Sequence, residues 1–249
     1  MASTGLTSAQ AERYHRDGFL SGSAFTQADI DDVRAMIAPL IDQFSDQKRN
    51  RRRDVGAMGD LAVGSQQPEI DRPTLTVPAL KKTAVYLKTL ALAETLLGRS
   101  PRYTFDHVIC KMPGTKARTA WHQDRGYLIS DVKLDTVNFW IPLQDTNQEN
   151  GTLGYVPKSH LDGLQEHGSD PALHPHIKTT PLGETDPIYC DFKVGDYGVH
   201  HPLTVHGAGP NLSDAPRYAW IIHFSPYGRL GYLKPANIIP ILKRFARIH

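Results

Sequence analysis

From Tyr103 onward the chain is punctuated: short runs rich in Val, Ile, Thr, Phe, Tyr and Trp are separated by Gly, Pro, Asn and Asp. The runs are "YTFDHVICKM", "TVNFWIPL", "GTLGYVP", "IYCDFKV", "DYGVHH" and "RYAWIIHF". Branched and aromatic side chains suit a pleated surface and the residues between them make turns, so each run predicts a strand. Six or more strands at this spacing hide their apolar faces by stacking as a sandwich or closing as a jelly-roll barrel. No other feature of the chain constrains the fold as tightly.

The first hundred residues read as helical. Thr7-Ser8-Ala9-Gln10 matches a capping box, and Gly18 supplies a stop. A second helix follows Thr26, with Ile30, Val33, Ile37, Leu40, Ile41 and Phe44 forming a core-facing stripe at spacings of three and four. Residues 78 to 97 return to helical periodicity and stop at Gly98. Between these helices, residues 45 to 76 lose periodicity and collect Arg, Asp, Gly and Gln. A compact domain seldom keeps so long a loop without a use, and a substrate lid is the expected one. The organisation expected is one domain over 1–249: a helical preface with its lid loop over 1–100, a β core over 101–226 and a tail over 227–249.

Charge and cysteine content narrow the function class. A formal net charge of +2 is too small for a nucleic-acid footprint, and the basic run from Lys48 to Arg53 reads as a solvated loop. Cys110 and Cys190 stand alone and far apart, which argues against a disulfide framework and suits a reducing compartment. No stretch approaches the roughly 18 apolar residues of a membrane helix. The expectation is a cytoplasmic monomer or homodimer acting on a small molecule, without nucleic-acid or membrane partners.

The chemistry starts at "WHQD", where His122 and Asp124 lie one residue apart. With 12 His and 20 Asp, about one such pair arises by chance, and His160-Leu161-Asp162 is a second, so the motif alone decides nothing. A facial iron(II) site needs two imidazoles and one carboxylate, with three positions left open. Residues two apart at a strand end share a side and can supply two of the three. "HHPLTVHGAGPNLSDAPRYAW" offers His206 after an apolar run, with His200 and His201 next in line, and Arg217 at the start of the following strand. A planar guanidinium fork suits a carboxylate, and metal plus buried Arg is the combination that 2-oxoglutarate requires.

The pieces "KMPG", "WHQD", "NFWIPLQDTNQENGTLGYVPKSH" and "GDYGVHHPLTVHGAGPNLSDAPR", in this order and preceded by "YHRDGFL", resemble the phytanoyl-CoA dioxygenase (PhyH-like) family of Fe(II)/2-oxoglutarate oxygenases. The resemblance covers nearly the whole chain. It implies a mainly β fold, a double-stranded β-helix (jelly-roll or cupin-like) barrel with the N-terminal helices packed outside. It implies Fe(II) on His122, Asp124 and His206, with 2-oxoglutarate and O2 as cosubstrates and Arg217 on the distal carboxylate of 2-oxoglutarate. Lys111 and Asn138 resemble cosubstrate or substrate contacts of the family. Lys158 departs from the pattern, standing where Gly is usual. Because Asp124 is present, hydroxylation or another oxidation is implied, and halogenation is not.

The resemblance leaves the substrate open. A small or medium-sized metabolite tailored in natural-product (antibiotic) biosynthesis is the expectation, with an acyl-CoA or amino-acid hydroxylase, or a non-redox metal-binding β-barrel, as alternatives. Arg125, Tyr127, Trp140 and His201 are the candidate substrate contacts. Trp121 reads as a core aromatic, Asp196 as a turn residue, and His167, His174 and His176 as members of a solvated loop.

Overall fold

A computed structural model describes residues 5–42, 52–54, 67–127, 135–169 and 178–228. Thr7 and Gln10 exchange the two hydrogen bonds of a capping box and start α1 (Ser8–Asp17). Gly18 ends it at φ 84°, donating its N–H to the Tyr14 carbonyl at 2.8 Å, and turns the chain into β1 (Phe19–Ser23). α2 (Gln27–Asp42) buries Ile30, Val33, Ile37, Leu40 and Ile41 as its stripe predicts; Phe44 lies outside the described residues.

The segment read as one long loop carries β2 (Arg52–Asp54), β3 (Pro68–Asp71) and α3 (Pro73–Thr76). The remainder of that stretch, where a lid was expected, lies outside the described residues. The helix predicted over 78–97 breaks in two, a 3-10 turn at Pro78–Lys82 and α4 (Ala84–Leu97). The break falls at Thr83, whose extended backbone (ψ 151°) and hydroxyl cap the N-terminus of α4.

The β core comprises β4 (Arg102–Lys111), β5 (Thr119–His122), β6 (Val137–Pro142), β7 (Leu153–Tyr155), β8 (Gly168–Ser169), β9 (Lys178–Thr179), β10 (Ile188–Tyr189), β11 (Asp196–His200), β12 (His206–Ala208) and β13 (Arg217–Ser225). A seven-stranded sheet runs β1-β11-β6-β13-β4-β3-β2 and a four-stranded sheet runs β10-β7-β12-β5, with β8 and β9 as a separate pair. The two sheets face each other as a double-stranded β-helix. Three strands of the large sheet, β1 to β3, come from the half of the chain read as helical. Each is only three to five residues long, too short for the period of two to register.

Alternation along β13 shows how the large sheet is used. Tyr218, Trp220, Ile222 and Phe224 join one apolar cluster with Ile30, Val33 and Ile37 of α2 and Val85 and Leu92 of α4. Ala219 and Ile221 face the other way, into a second cluster with Trp140, Leu153, Tyr155 and Phe192. The short helix α3 is fastened to the sheet by the buried Asp106 carboxylate, which accepts from the Thr74 hydroxyl (3.0 Å), the Tyr103 hydroxyl (2.6 Å) and the Trp220 indole N–H (3.0 Å). Among the described residues no helix is long and apolar enough to cross a membrane.

Candidate metal centre

His122 closes β5 and His206 opens β12, and the two are directly opposed across the antiparallel pair, with ring centroids 4.2 Å apart. The register slips by one residue between His206 and Ala208, so the ladder carries an irregularity beside the site. Asp124 follows on a 3-10 turn (Asp124–Tyr127), its Oδ1 3.5 Å from His122 Nε2 and 3.7 Å from His206 Nε2. One donor atom from each of these three residues lies within 4.8 Å of the others, the spacing of ligands around one ion.

Hydrogen bonds on the far side of each ring aim it. His122 Nδ1 lies 2.7 Å from the Ala120 carbonyl and His206 Nδ1 lies 3.0 Å from the Thr204 carbonyl. A carbonyl only accepts, so Nδ1 carries the proton and Nε2 presents a lone pair toward Asp124. Burial, with His200 and His122 alongside, pushes the His206 pKa well below its ordinary value, which keeps the ring neutral and able to coordinate. Burial pushes Asp124 up, but the surrounding imidazoles of His206, His122 and His200 outweigh it and hold the carboxyl well below the usual range.

Gln123, between the two motif residues, is fully buried and faces away from them. Its amide donates to the Gly163 (2.8 Å) and Leu203 (2.7 Å) carbonyls and accepts from the Gln165 N–H (2.8 Å). His167 accepts from the Gln123 backbone N–H at 3.0 Å and packs so close to Gly126 that a Cβ there would sit 2.6 Å from its ring. The ligand turn is thus pinned from behind by residues that sequence reasoning missed. The only signal available was that the middle of a His-x-Asp pair on an extended segment points away from its flanks.

Arg217, at the start of β13, lines the same cavity. It is 2% exposed, its guanidinium lies 5.6 Å from the centre of the Trp140 ring, and no acidic group among the described residues faces it. Burial lowers its pKa to about 10, so it stays charged at neutral pH. A buried guanidinium with no counter-charge among the described residues is costly, and an anion in the cavity would balance it. The cavity is open to solvent and lined also by His107, Ile109, Thr119, Trp140 and His200. The donor set, the aimed imidazoles and the buried Arg217 fit Fe(II) with a dicarboxylate.

The other candidates fall in different places. Asn138 lies on β6 with its amide donating to Asp124 Oδ2. Lys111 is opposite Arg217 in the β4–β13 register, but its ammonium donates to the Ala117 (2.9 Å) and Gly209 (2.6 Å) carbonyls and does not line the cavity. Alternation puts His200, not His201, on the cavity wall; His201 packs near His160 at 5.4 Å and accepts from the Leu203 N–H. Trp140 lines the cavity, while Arg125 is half-buried behind Asp124 with its N–H on the Pro202 carbonyl. The side chain of Tyr127, and His174 and His176, lie outside the described residues. The rival His160–Asp162 sits on a separate 3-10 turn, where His160 Nε2 bonds the His15 carbonyl at 3.0 Å.

Fold and site together define a double-stranded β-helix protein with a His–Asp–His cluster and a buried Arg in one cavity. Residues 14–219 match the sequence pattern of the family described as phytanoyl-CoA dioxygenase (PhyH), and the chain belongs to that family. Curated relatives include phytanoyl-CoA dioxygenase 1 of Oryza sativa subsp. japonica, 29% identical over 165 residues (65% of this chain, 56% of that one). A probable alpha-ketoglutarate-dependent hypophosphite dioxygenase of Stutzerimonas stutzeri is 25% identical over 162 residues (63% and 56%). The chain spans about half the length of these relatives. Among solved structures, EvdO2 of Micromonospora carbonacea var. aurantiaca complexed with 2-oxoglutarate superposes with a TM-score of 0.72 at 24% identity, covering 88% of this chain and 91% of that one. The epimerase SnoN, in complex with Fe3+, alpha-ketoglutarate and nogalamycin RO, gives 0.70 at 25% identity, covering 87% and 82%.

Proposed function

We propose that the protein is an Fe(II)- and 2-oxoglutarate-dependent oxygenase that oxidises an unactivated C–H bond of a small or medium-sized metabolite, in the tailoring of a natural product. The observation that carries the reading is the buried Arg217, with no acidic partner among the described residues, in the same cavity as the three converging donors. His122, Asp124 and His206 hold the ion, and Arg217 takes the distal carboxylate of 2-oxoglutarate in a bidentate pair. Bound there, iron(II) with 2-oxoglutarate and O2 supplies an oxidant able to remove hydrogen from an unactivated carbon. The chain's own part is to orient that carbon and to keep water from the centre.

Two further observations support a polar metabolite as substrate. The cavity wall beside the three donors is largely apolar but carries His107, Thr119 and His200, and His107 is held by the buried Glu69 at 2.5 Å, so a few hydrogen-bonding groups stand beside the centre. SnoN, of the same fold, is complexed with nogalamycin RO. Free Cys110 and Cys190 suit a cytosolic enzyme.

Protein loaded with Fe(II) under argon and then given 2-oxoglutarate and O2 releases succinate, above the level of metal-free protein, and faster with a fitting substrate. No succinate under any of these conditions overturns the reading. Arg217→Gln removes two charge-assisted hydrogen bonds at about 1.5–3 kcal/mol each, so the 2-oxoglutarate KM rises on the order of a hundredfold while Fe(II) still binds. An unchanged KM moves the anchor elsewhere.

A further inference from the structure

Asp124 is engaged on both oxygens, from opposite sides. Oδ1 faces the Nε2 atoms of His122 and His206 at 3.5 and 3.7 Å. Oδ2 takes the Nε2–H of His200 at 2.9 Å and the side-chain amide of Asn138. His200 and Asn138 are directly opposed residues of β11 and β6, 2% and 0% exposed, on interior strands of the seven-stranded sheet. Asp124 itself rides on a 3-10 turn and has no strand ladder to fix it. Among the described residues neither His200 Nδ1 nor Asn138 Oδ1 has a hydrogen-bond partner, so the contact to Asp124 is the polar contact that orients each side chain.

A carboxylate that is free to turn can take an ion through both oxygens. In a facial site this consumes a coordination position, and the usefulness of the site lies in the positions it leaves open. We propose that His200 and Asn138 are positioning residues which claim Oδ2 of Asp124 and leave Oδ1 as the single oxygen offered to the ion. The inference rests on the metal site described under Proposed function. The strong frame sheet thereby dictates the ligand geometry of a turn that belongs to the weak one.

The test uses Co(II) as the probe, titrated under argon into the whole protein and followed by calorimetry and visible absorption, with 2-oxoglutarate then titrated onto the Co(II)-loaded form. His200→Ala and Asn138→Ala weaken Co(II) binding by roughly tenfold each, the scale of lost outer-shell partners. They also shift the Co(II) absorption bands, as Oδ2 joins the ion, and lower the affinity for 2-oxoglutarate. His200→Gln keeps an N–H donor in reach and restores affinity and spectrum, which a merely space-filling role for His200 does not predict. It also keeps the test open if His200→Ala fails to fold. Alanine variants with the affinity and spectrum of the wild type overturn this inference alone, as does a Gln variant no better than Ala. Wild-type protein that takes up no Co(II) overturns the metal site and this inference with it.

Discussion

The two sheets of the barrel are built for different tasks. In the seven-stranded sheet β4 runs for ten residues and β13 for nine, every residue of β13 is buried, and one face is roofed by α2 and α4. In the four-stranded sheet no strand exceeds four residues, yet this panel carries His122 and His206. A panel so short cannot hold three donors within 4.8 Å by its own ladders. The frame reaches it through His200 and Asn138, which meet Asp124 Oδ2, while Gln123 ties the same turn to the loops at Gly163, Gln165 and Leu203. Stability is therefore concentrated in one sheet and chemistry in the other, and substitutions separate the two.

The largest effect is expected where the panel is broken without touching the frame. His206→Ala removes one of three donors and leaves a small polar gap, so 2-oxoglutarate-dependent succinate release falls by three orders of magnitude or more, to the background of the metal-free protein. The urea midpoint of the metal-free variant stays close to that of the wild type, because His206 contributes no apolar surface to the helix-covered core. A large loss of stability in that variant breaks the division between the sheets. Retained Fe(II) binding reassigns the third donor, with His200 nearest at 4.1 Å between rings.

The converse experiment strikes the frame alone. Trp220 is fully buried on the helix-facing side of β13, and its indole N–H is one of the donors to Asp106. Trp220→Ala leaves a cavity and an unpaired carboxylate oxygen, at a cost of about 3–5 kcal/mol in urea unfolding. Below its lowered midpoint the variant keeps its Fe(II) affinity to within a few fold. Loss of metal binding in folded protein shows instead that the frame transmits strain directly to the ligands.

How much of this was legible in the sequence divides along the same line. Features fixed by local chemistry were readable: the Thr7–Gln10 capping box, the α2 stripe, the run "RYAWIIHF" within β13 and the pair His122 and Asp124 that the fold brings to His206. Features fixed by pairing were not. "FLSGS" is a strand only because β11 lies beside it, and its one buried residue, Leu20, gives no alternation to read. The choice between His200 and His201 needed the strand's phase, which adjacent histidines do not reveal. Asn138 reads as a cosubstrate contact until the register sets it opposite His200, where its amide meets Asp124.

Acid probes both sheets at once with a smaller effect. Burial, with His107 and His200 adding to it against Asp124, lowers His223 on β13 to about 3; burial, with His160, His200 and His15, lowers His201 to about 4. Both folded values lie below the unfolded value near 6.5, so within that window the unfolded chain holds protons that the native chain does not. Stability contributed by the neutral rings is complete above the unfolded value and is lost as pH falls toward the folded ones. Between pH 7 and pH 5 each ring withdraws about 2 kcal/mol from the metal-free protein. His223→Gln removes the frame's share and flattens the decline; a urea midpoint that does not move over this range contradicts both assignments.

The smallest effect tests the joint between panel and helices. Lys158 follows β7 and holds φ at 64°, while its N–H bonds the Asp17 carbonyl at 2.9 Å and so ties the end of the panel strand to the end of α1. A left-handed backbone costs a residue with a Cβ roughly 1–2 kcal/mol, partly offset because glycine has more freedom to lose on folding, so Lys158→Gly stabilises by about 0.5 kcal/mol. Across the same joint Gly18→Ala has the opposite sign, since its Cβ would lie 2.4 Å from His160 Nδ1 and 2.6 Å from Thr204 Oγ1. Thr204 leads directly into His206, so this second variant pushes on the panel as well. A gain in stability for Lys158→Gly with succinate release unchanged, beside losses in both for Gly18→Ala, places the mechanical link between frame and panel at Thr204 and not at the Lys158 turn. If both variants leave succinate release unchanged, the link runs through His200 and Asn138 alone.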